Sequence, residues 1–216
     1  RLVAALGRGA ELAEGRWDAY LHVADGPPRR LTPGVNDLRA LLRQAPDSWD
    51  GRIAVRIPYP TKDGFLAVRS WLRVPHAEAG ELHVAEAALT VYGRAYGTRL
   101  SDRACLELRR RAAPPVVLRV AVTSWGASFS GLITYRALVD AAPPGIWDLW
   151  LCPAGEGGAR VRMARLFDDI ADKKPVVTFP ARRLVPGAHG AGWVDVRPYF
   201  TLDNDLAVRV GPAEGG

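Results

Sequence analysis

Lysine is scarce in this sequence: it occurs at Lys62, Lys173 and Lys174, although lysine and arginine together number 29 among 216 residues. Positive charge therefore rests almost wholly on arginine, whose planar fork holds phosphate or carboxylate oxygens in pairs. Cysteine is scarcer still. Cys105 and Cys152 are too few for the disulfide framework of a small secreted domain. Both sit in apolar alternating segments, where a free thiol behaves as a small hydrophobe. A single immunoglobulin-style bridge around Trp125 is the alternative. Free thiols point to a reducing compartment, so a cytoplasmic location is expected, at most peripheral to the inner face of the plasma membrane. No run of about 18 apolar residues occurs, which leaves no transmembrane segment of the helical kind. Neither a leader segment nor an initiating methionine is present, from which a fragment of a longer protein is expected.

Helical spacing is also thin. Val35–Arg43 and Met163–Ala171 are the segments that space apolar residues for a short helix. Elsewhere apolar and polar residues alternate with period two. Arg16–Val23 puts Trp17, Ala19, Leu21 and Val23 on one face, and Arg52–Ile57 alternates Arg with Ile and Val. Gly64–Trp71 follows a Lys62-Asp63-Gly64 turn, a strong hairpin signal. The same pattern recurs over Leu82–Val84, Ala88–Ala95, Cys105–Arg109, Val116–Val122, Ser128–Tyr135, Trp147–Cys152, Ala159–Arg165, Val176–Pro180, Trp193–Tyr199 and Leu206–Val210. With 22 Gly and 17 Pro between these runs, an all-β sandwich or barrel follows.

An internal repeat narrows that choice. Trp17-Asp-Ala-Tyr-Leu-His22 returns as Trp147-Asp-Leu-Trp-Leu-Cys152, and Pro58–Arg69 returns as Pro198–Arg209, sharing Pro, Tyr, Thr, Asp, Leu, Ala, Val and Arg without a gap. Arg1–Ala5 resembles Ala137–Ala141. Nothing upstream answers to Leu82–Arg136. Two tandem, related β-sandwich units of immunoglobulin-like type are therefore expected, the first N-terminally truncated. They would span residues 1–80 and 81–216, with the boundary in the Pro75–Glu81 interruption.

The repeat also disciplines the motifs. Asp168-Asp169-Ile-Ala-Asp172 has the spacing of a magnesium–diphosphate site, but that chemistry needs one helix face in a helical cavity; here an acidic turn is expected. Asp203-Asn204-Asp205 has the form of a metal-binding Asp-x-Asp, yet its repeat counterpart is the plain turn Asp63-Gly64-Phe65. Gly155–Gly158 leads into a strand, so it serves as a hairpin loop rather than a phosphate cradle. His22, His76, His83 and His189 show no metal-ligand spacing. No Gly-x-Ser-x-Gly elbow and no catalytic cysteine context occurs. No cofactor, metal or autonomous catalytic residue is expected.

What remains for function is charge and exposed aromatics. The formal net charge of +6 is spread along the chain, densest at Arg109, Arg110 and Arg111, and favours an acidic partner. Trp49, Trp71 and Trp193 fall at strand or loop edges, where an indole can stack on a sugar ring. These six are the candidate ligand-binding residues. Trp17 and Trp147, being equivalent and on alternating faces, are expected in the core, and Tyr59 and Tyr199 at packed corners.

From Leu82 to Arg209 the chain resembles the accessory β-sandwich regions at the C-terminus of bacterial family 2 glycosyltransferases that build or decorate wall teichoic acids and related envelope polymers. The resemblance lies in Leu89–Gly97, Leu106–Arg110 and above all Gly145-Ile-Trp-Asp-Leu-Trp-Leu151, kept imperfectly as Gly15–Leu21. It implies a non-catalytic segment serving assembly, oligomerisation or acceptor-polymer positioning beside a glycosyltransferase domain, with a homo-oligomer among the partners. The second expectation is a carbohydrate-binding module gripping an anionic glycopolymer. No nucleic-acid partner is expected.

Overall fold

A computed structural model describes residues 12–35, 38, 47–49, 52–185, 189 and 192–213. The chain divides into two compact units, one reaching to Val74 and including Leu166–Ala171, the other formed by Pro75–Arg165 and Asp172–Gly216. Among the described residues the regular structure is strand apart from one short helix.

In the first unit β1 (Gly15–Asp18), β4 (Asp47–Trp49), β5 (Arg52–Pro60) and β6 (Leu66–Arg73) form a sheet in the order β1-β6-β5-β4. A short hairpin joins β2 (Tyr20–Leu21) to β3 (Arg29–Arg30). The second unit contains β7 (His76–Val84), β8 (Ala88–Tyr96), β9 (Cys105–Arg110), β10 (Val117–Trp125), β11 (Ser128–Thr134), α1 (Tyr135–Ala141), β12 (Gly145–Cys152), β13 (Val161–Ala164), β14 (Arg182–Leu184), β15 (Val194–Phe200) and β16 (Leu206–Pro212).

These strands close a barrel, which overturns the expected pair of immunoglobulin-like sandwiches. The order β13-β7-β8-β11-β10-β9-β12 returns to β13, because β13 pairs with β12 on one side and with β7 on the other. The closing contact is parallel, Met163 opposite Ala77. Closure removes free edges, as a sandwich cannot. β12 then forks. Along one edge it meets β9 from Trp147 to Cys152; along the other it meets β16 from Gly145 to Asp148 and β13 at Trp150 and Leu151. The β16-β15-β14 ribbon thus leaves the barrel wall at β12.

Period-two alternation supplies the core. Leu106 and Leu108 of β9, Trp147, Leu149 and Leu151 of β12, and Leu206, Val208 and Val210 of β16 turn one way and are buried. Tyr135, Leu138 and Val139 give α1 a buried stripe against the same cluster. That helix replaces the end of the strand expected to reach Tyr135. The helix expected over Met163–Ala171 is absent, since Met163 belongs to β13. The interruption expected at Pro75–Glu81 is instead most of β7. Its inward residues are the small Ala77 and Ala79, which bury completely yet carry no large apolar signal. Trp125, the expected partner of an immunoglobulin-style bridge, is exposed, and both cysteines are free.

The repeat survives in a different form. Gly15, Arg16, Trp17 and Asp18 lie opposite Ser70, Arg69, Val68 and Ala67, while Gly145, Ile146, Trp147 and Asp148 lie opposite Val210, Arg209, Val208 and Ala207. The β5–β6 register matches that of β15–β16 in the same way, with Tyr59 opposite Ala67 and Tyr199 opposite Ala207. Even the turns agree. Gly64 (φ 78) and Asn204 (φ 58) hold the left-handed position, and each donates its N–H to the carbonyl of Thr61 or Thr201. The first unit therefore copies the fork of the second, and among its described residues it has no counterpart of β7–β11. A truncated sandwich does not describe it.

Candidate arginine-rich face

The face of β9 opposite the core carries Cys105, Glu107 and Arg109; register places Cys152, Trp150 and Asp148 of β12 directly across from them. Arg119 of β10 lies opposite Glu107, and Arg162 of β13 opposite Trp150. Alternation alone thus gathers charge from four strands onto one outer surface.

Two carboxylates organise it. Glu107 is almost fully buried and accepts hydrogen bonds from Arg109 Nη1 at 2.7 Å, Arg119 Nε at 3.2 Å and Arg160 Nη1 at 3.5 Å. Arg119 also reaches the exposed Glu156 at 2.9 Å. Asp148 accepts from Arg111, whose Nη2 lies at 2.7 Å, and from Arg162 Nη2 at 2.7 Å. Arg162 continues to Asp205 at 3.3 Å and lies 5.2 Å over the Trp150 ring. Burial opposes the charge on Asp148, but the hydrogen bond from Arg111 and the nearby Arg162 outweigh it and hold the carboxyl below its ordinary range. The hydrogen bond to Asp148 likewise holds the Arg111 guanidinium above its ordinary value, and burial raises the Tyr199 phenol. Five guanidiniums thus share Glu107, Asp148, Glu156 and Asp205. Further along the same surface Arg197 of β15 stands directly opposite Arg209 of β16, both exposed.

The cysteines lie beneath this surface. Burial raises both thiols, and Cys152 is pushed up to about 12, with Cys105 and Glu107 adding to the effect.

Of the arginine triplet, Arg109 and Arg111 join this face. Arg110 points the other way and donates to the carbonyls of Pro143 and Pro144 at 3.0 Å each, a structural clasp. Of the three tryptophans, Trp71 is fully buried with Arg69 4.9 Å over its ring, so it presents no face to a sugar. Trp49 lies in β4, and its side chain falls outside the described residues. Trp193 is 56% exposed and lines a depression of about 490 Å³ with Arg183, Pro212 and Ala213. Arg183 pairs there with Asp195 at 3.2 Å. Sequence reasoning missed Glu107, Asp148, Arg119, Arg160 and Arg162. For Glu107, Asp148, Arg119 and Arg162 the one signal was phase, since each interrupts an apolar strand on the face away from the leucines; Arg160, in the loop before β13, had none.

Residues of both acidic motifs hold backbone. Asp168 accepts the N–H of Ile170 at 3.0 Å, and the Asn204 side-chain oxygen accepts that of Lys173 at 3.1 Å. Among the described residues no group of three His, Cys, Asp or Glu is placed to hold a metal ion, and no helix is long and apolar enough to cross a membrane.

No protein-family model matches the chain, and no curated protein matches its sequence. Among solved structures, S. aureus TarS is similar at 13% identity with a TM-score of 0.49, over 79% of this chain and 29% of that one. The 217–571 segment of S. aureus TarS is similar at 11% identity with a TM-score of 0.49, over 79% of this chain and 47% of that one. The chain therefore spans less than half the length of either neighbour.

Proposed function

We propose that this chain is a non-catalytic β accessory segment of a cell-envelope glycosyltransferase, and that its second unit positions an anionic glycopolymer acceptor. The observation that carries this reading is the convergence of Arg109, Arg119 and Arg160 on the single buried Glu107. One carboxylate cannot use all the donors of three guanidinium forks, and it fixes those forks in place at little further cost in side-chain entropy. Donors left over in a fixed array suit the repeated phosphates or carboxylates of a polymer. Trp193 in its depression offers an indole to a sugar ring beside Arg183. The family resemblance carried by Gly145–Leu151 supplies the enzyme context.

Pull-down on a polyol-phosphate polymer and on a neutral glucan, each at low and high salt, tests this. Binding to the phosphate polymer alone is expected, weakened by salt, and reduced by Arg119→Gln combined with Arg160→Gln. Salt-insensitive binding to the glucan, lost in Trp193→Ala, would instead favour a neutral carbohydrate-binding module. Turnover of an activated sugar by this chain alone would sink the non-catalytic reading.

A further inference from the structure

Cys105 opens β9, Cys152 closes β12, and the two stand directly opposite each other at the end of that ladder. At the ladder's other end Arg110 faces Trp147, and one step further Arg111 donates its N–H to the carbonyl of Ile146. Every second pair counted from there exchanges backbone hydrogen bonds, and Cys105–Cys152 is such a pair. Its Cα atoms are expected about 5.5 Å apart, within the span of a disulfide. Both side chains leave the sheet on one face, and the two thiols are in hydrogen-bonding contact. Unlike an immunoglobulin-style bridge between two sheets, this contact lies within one wall of the barrel. No third cysteine exists to compete for either thiol.

We propose that Cys105 and Cys152 form a reversible intrachain disulfide, made by exchange with a small disulfide of the glutathione type. The two thiols have separate parts in the exchange. Cys105 is 8% exposed and Cys152 1%, so the reagent enters at Cys105. Burial raises the Cys105 thiol, while its contact with Cys152 and the charge of Arg119 pull it back down. The pair ends its ladder, and ladder ends open more readily than ladder middles. Cys105 gives up its proton and attacks one sulfur of the reagent, whose S–S bond breaks and releases the first small thiol. Cys152 then attacks Cys105 Sγ, and the second small thiol leaves with the Cys152 proton. Two electrons pass from the protein sulfurs to the reagent, and two small thiols are formed. Cys152 meets no outside molecule, so its burial does not oppose the second step. The bridge staples β9 to β12 beside Glu107. It removes the weak bond that Cys152 Sγ donates to Glu107 Oε2 at 4.0 Å and leaves that carboxylate its guanidinium partners. This inference stands apart from polymer binding.

The native 216-residue chain is incubated with oxidised glutathione, quenched in acid and analysed by peptide mass. The peptides of Cys105 and Cys152 should be cross-linked within one chain, lighter by the two thiol hydrogens, with no glutathione retained. Dithiothreitol should reverse this. Cys152→Ala should retain glutathione at Cys105, whereas Cys105→Ala should retain roughly tenfold less at the shielded Cys152. A second measurement needs no variant. The bridge should raise the melting temperature by about 5 °C or more. Whatever it adds to folding, folding adds to it, so the native chain should stay bridged in a glutathione buffer about tenfold or more reducing than the chain in urea tolerates. A native chain left fully reduced by a buffer that bridges it in urea overturns the proposal. So does glutathione held at Cys105 of the unaltered chain without a bridge, or a bridge equally stable in native and unfolded protein.

Discussion

Asp148 and Arg162 meet at 2.7 Å between β12 and β13, and the first unit repeats the contact between Asp18 and Arg30 at 2.5 Å. The two arginines hold the same register position, opposite Trp150 and Tyr20 respectively. Each guanidinium also lies over an aromatic ring, yet a different one: Arg30 is 4.5 Å from Phe65, Arg162 is 5.2 Å from Trp150. Phe65 aligns with Asp205, which binds Arg162 directly at 3.3 Å. One copy thus backs its arginine with an aromatic ring where the other uses a second acid. At this site the second copy carries the additional charge.

Asp148→Asn tests the weight of that arrangement. The folded carboxyl titrates below its ordinary value of 3.8, so its contribution is complete above that value and drains away as pH falls through the folded one. Near neutral pH the variant should lose about 1–3 kcal/mol in urea unfolding. At about pH 3 the gap to the native chain should narrow. A gap of constant size would show that the charge on Asp148 is immaterial.

Trp147→Ala and Trp17→Ala separate the two copies. Truncating the fully buried Trp147 should cost about 3–5 kcal/mol. Trp17→Ala should change stability by only about 0.5 kcal/mol. Thermal melts of both variants decide the matter, and equal losses would mean that the two indoles share one environment after all.

Cys152 should resist alkylation. With its pKa near 12, only about one molecule in ten thousand is a thiolate at about pH 8. Labelling by iodoacetamide should be slow in the native chain and rapid in denaturant. Rapid native labelling at Cys152 would contradict its burial.

Arg110→Ala should lower the melting temperature, because the carbonyls of Pro143 and Pro144 lose their donor, while leaving binding to a phosphate polymer intact. Arg119→Gln should do the reverse. If both variants affect binding equally, the outer face is not the binding surface.

The β class, the repeat and its turns were legible in the residues because each is written locally. Alternation names one buried face per strand, and the gap-free match between Pro58–Arg69 and Pro198–Arg209 implies one register for both. The Asp63-Gly64 and Asp203-Asn204 pairs announce left-handed turns by residue type alone. Period two does not say how many neighbours a strand has, so sandwich and barrel share one signature. Closure came from the parallel contact of Met163 with Ala77, and β7 was hidden because it buries alanines. Residues 86 apart in sequence leave no local trace of meeting. For the same reason Trp17 and Trp147 read alike and end differently: the burial of an indole depends on the strands laid over it, and β9 covers one of them alone. The gathering of Arg109, Arg119 and Arg160 on Glu107 belongs to that same class of facts, since it needs β9 and β10 in register and the loop before β13 folded back beside them.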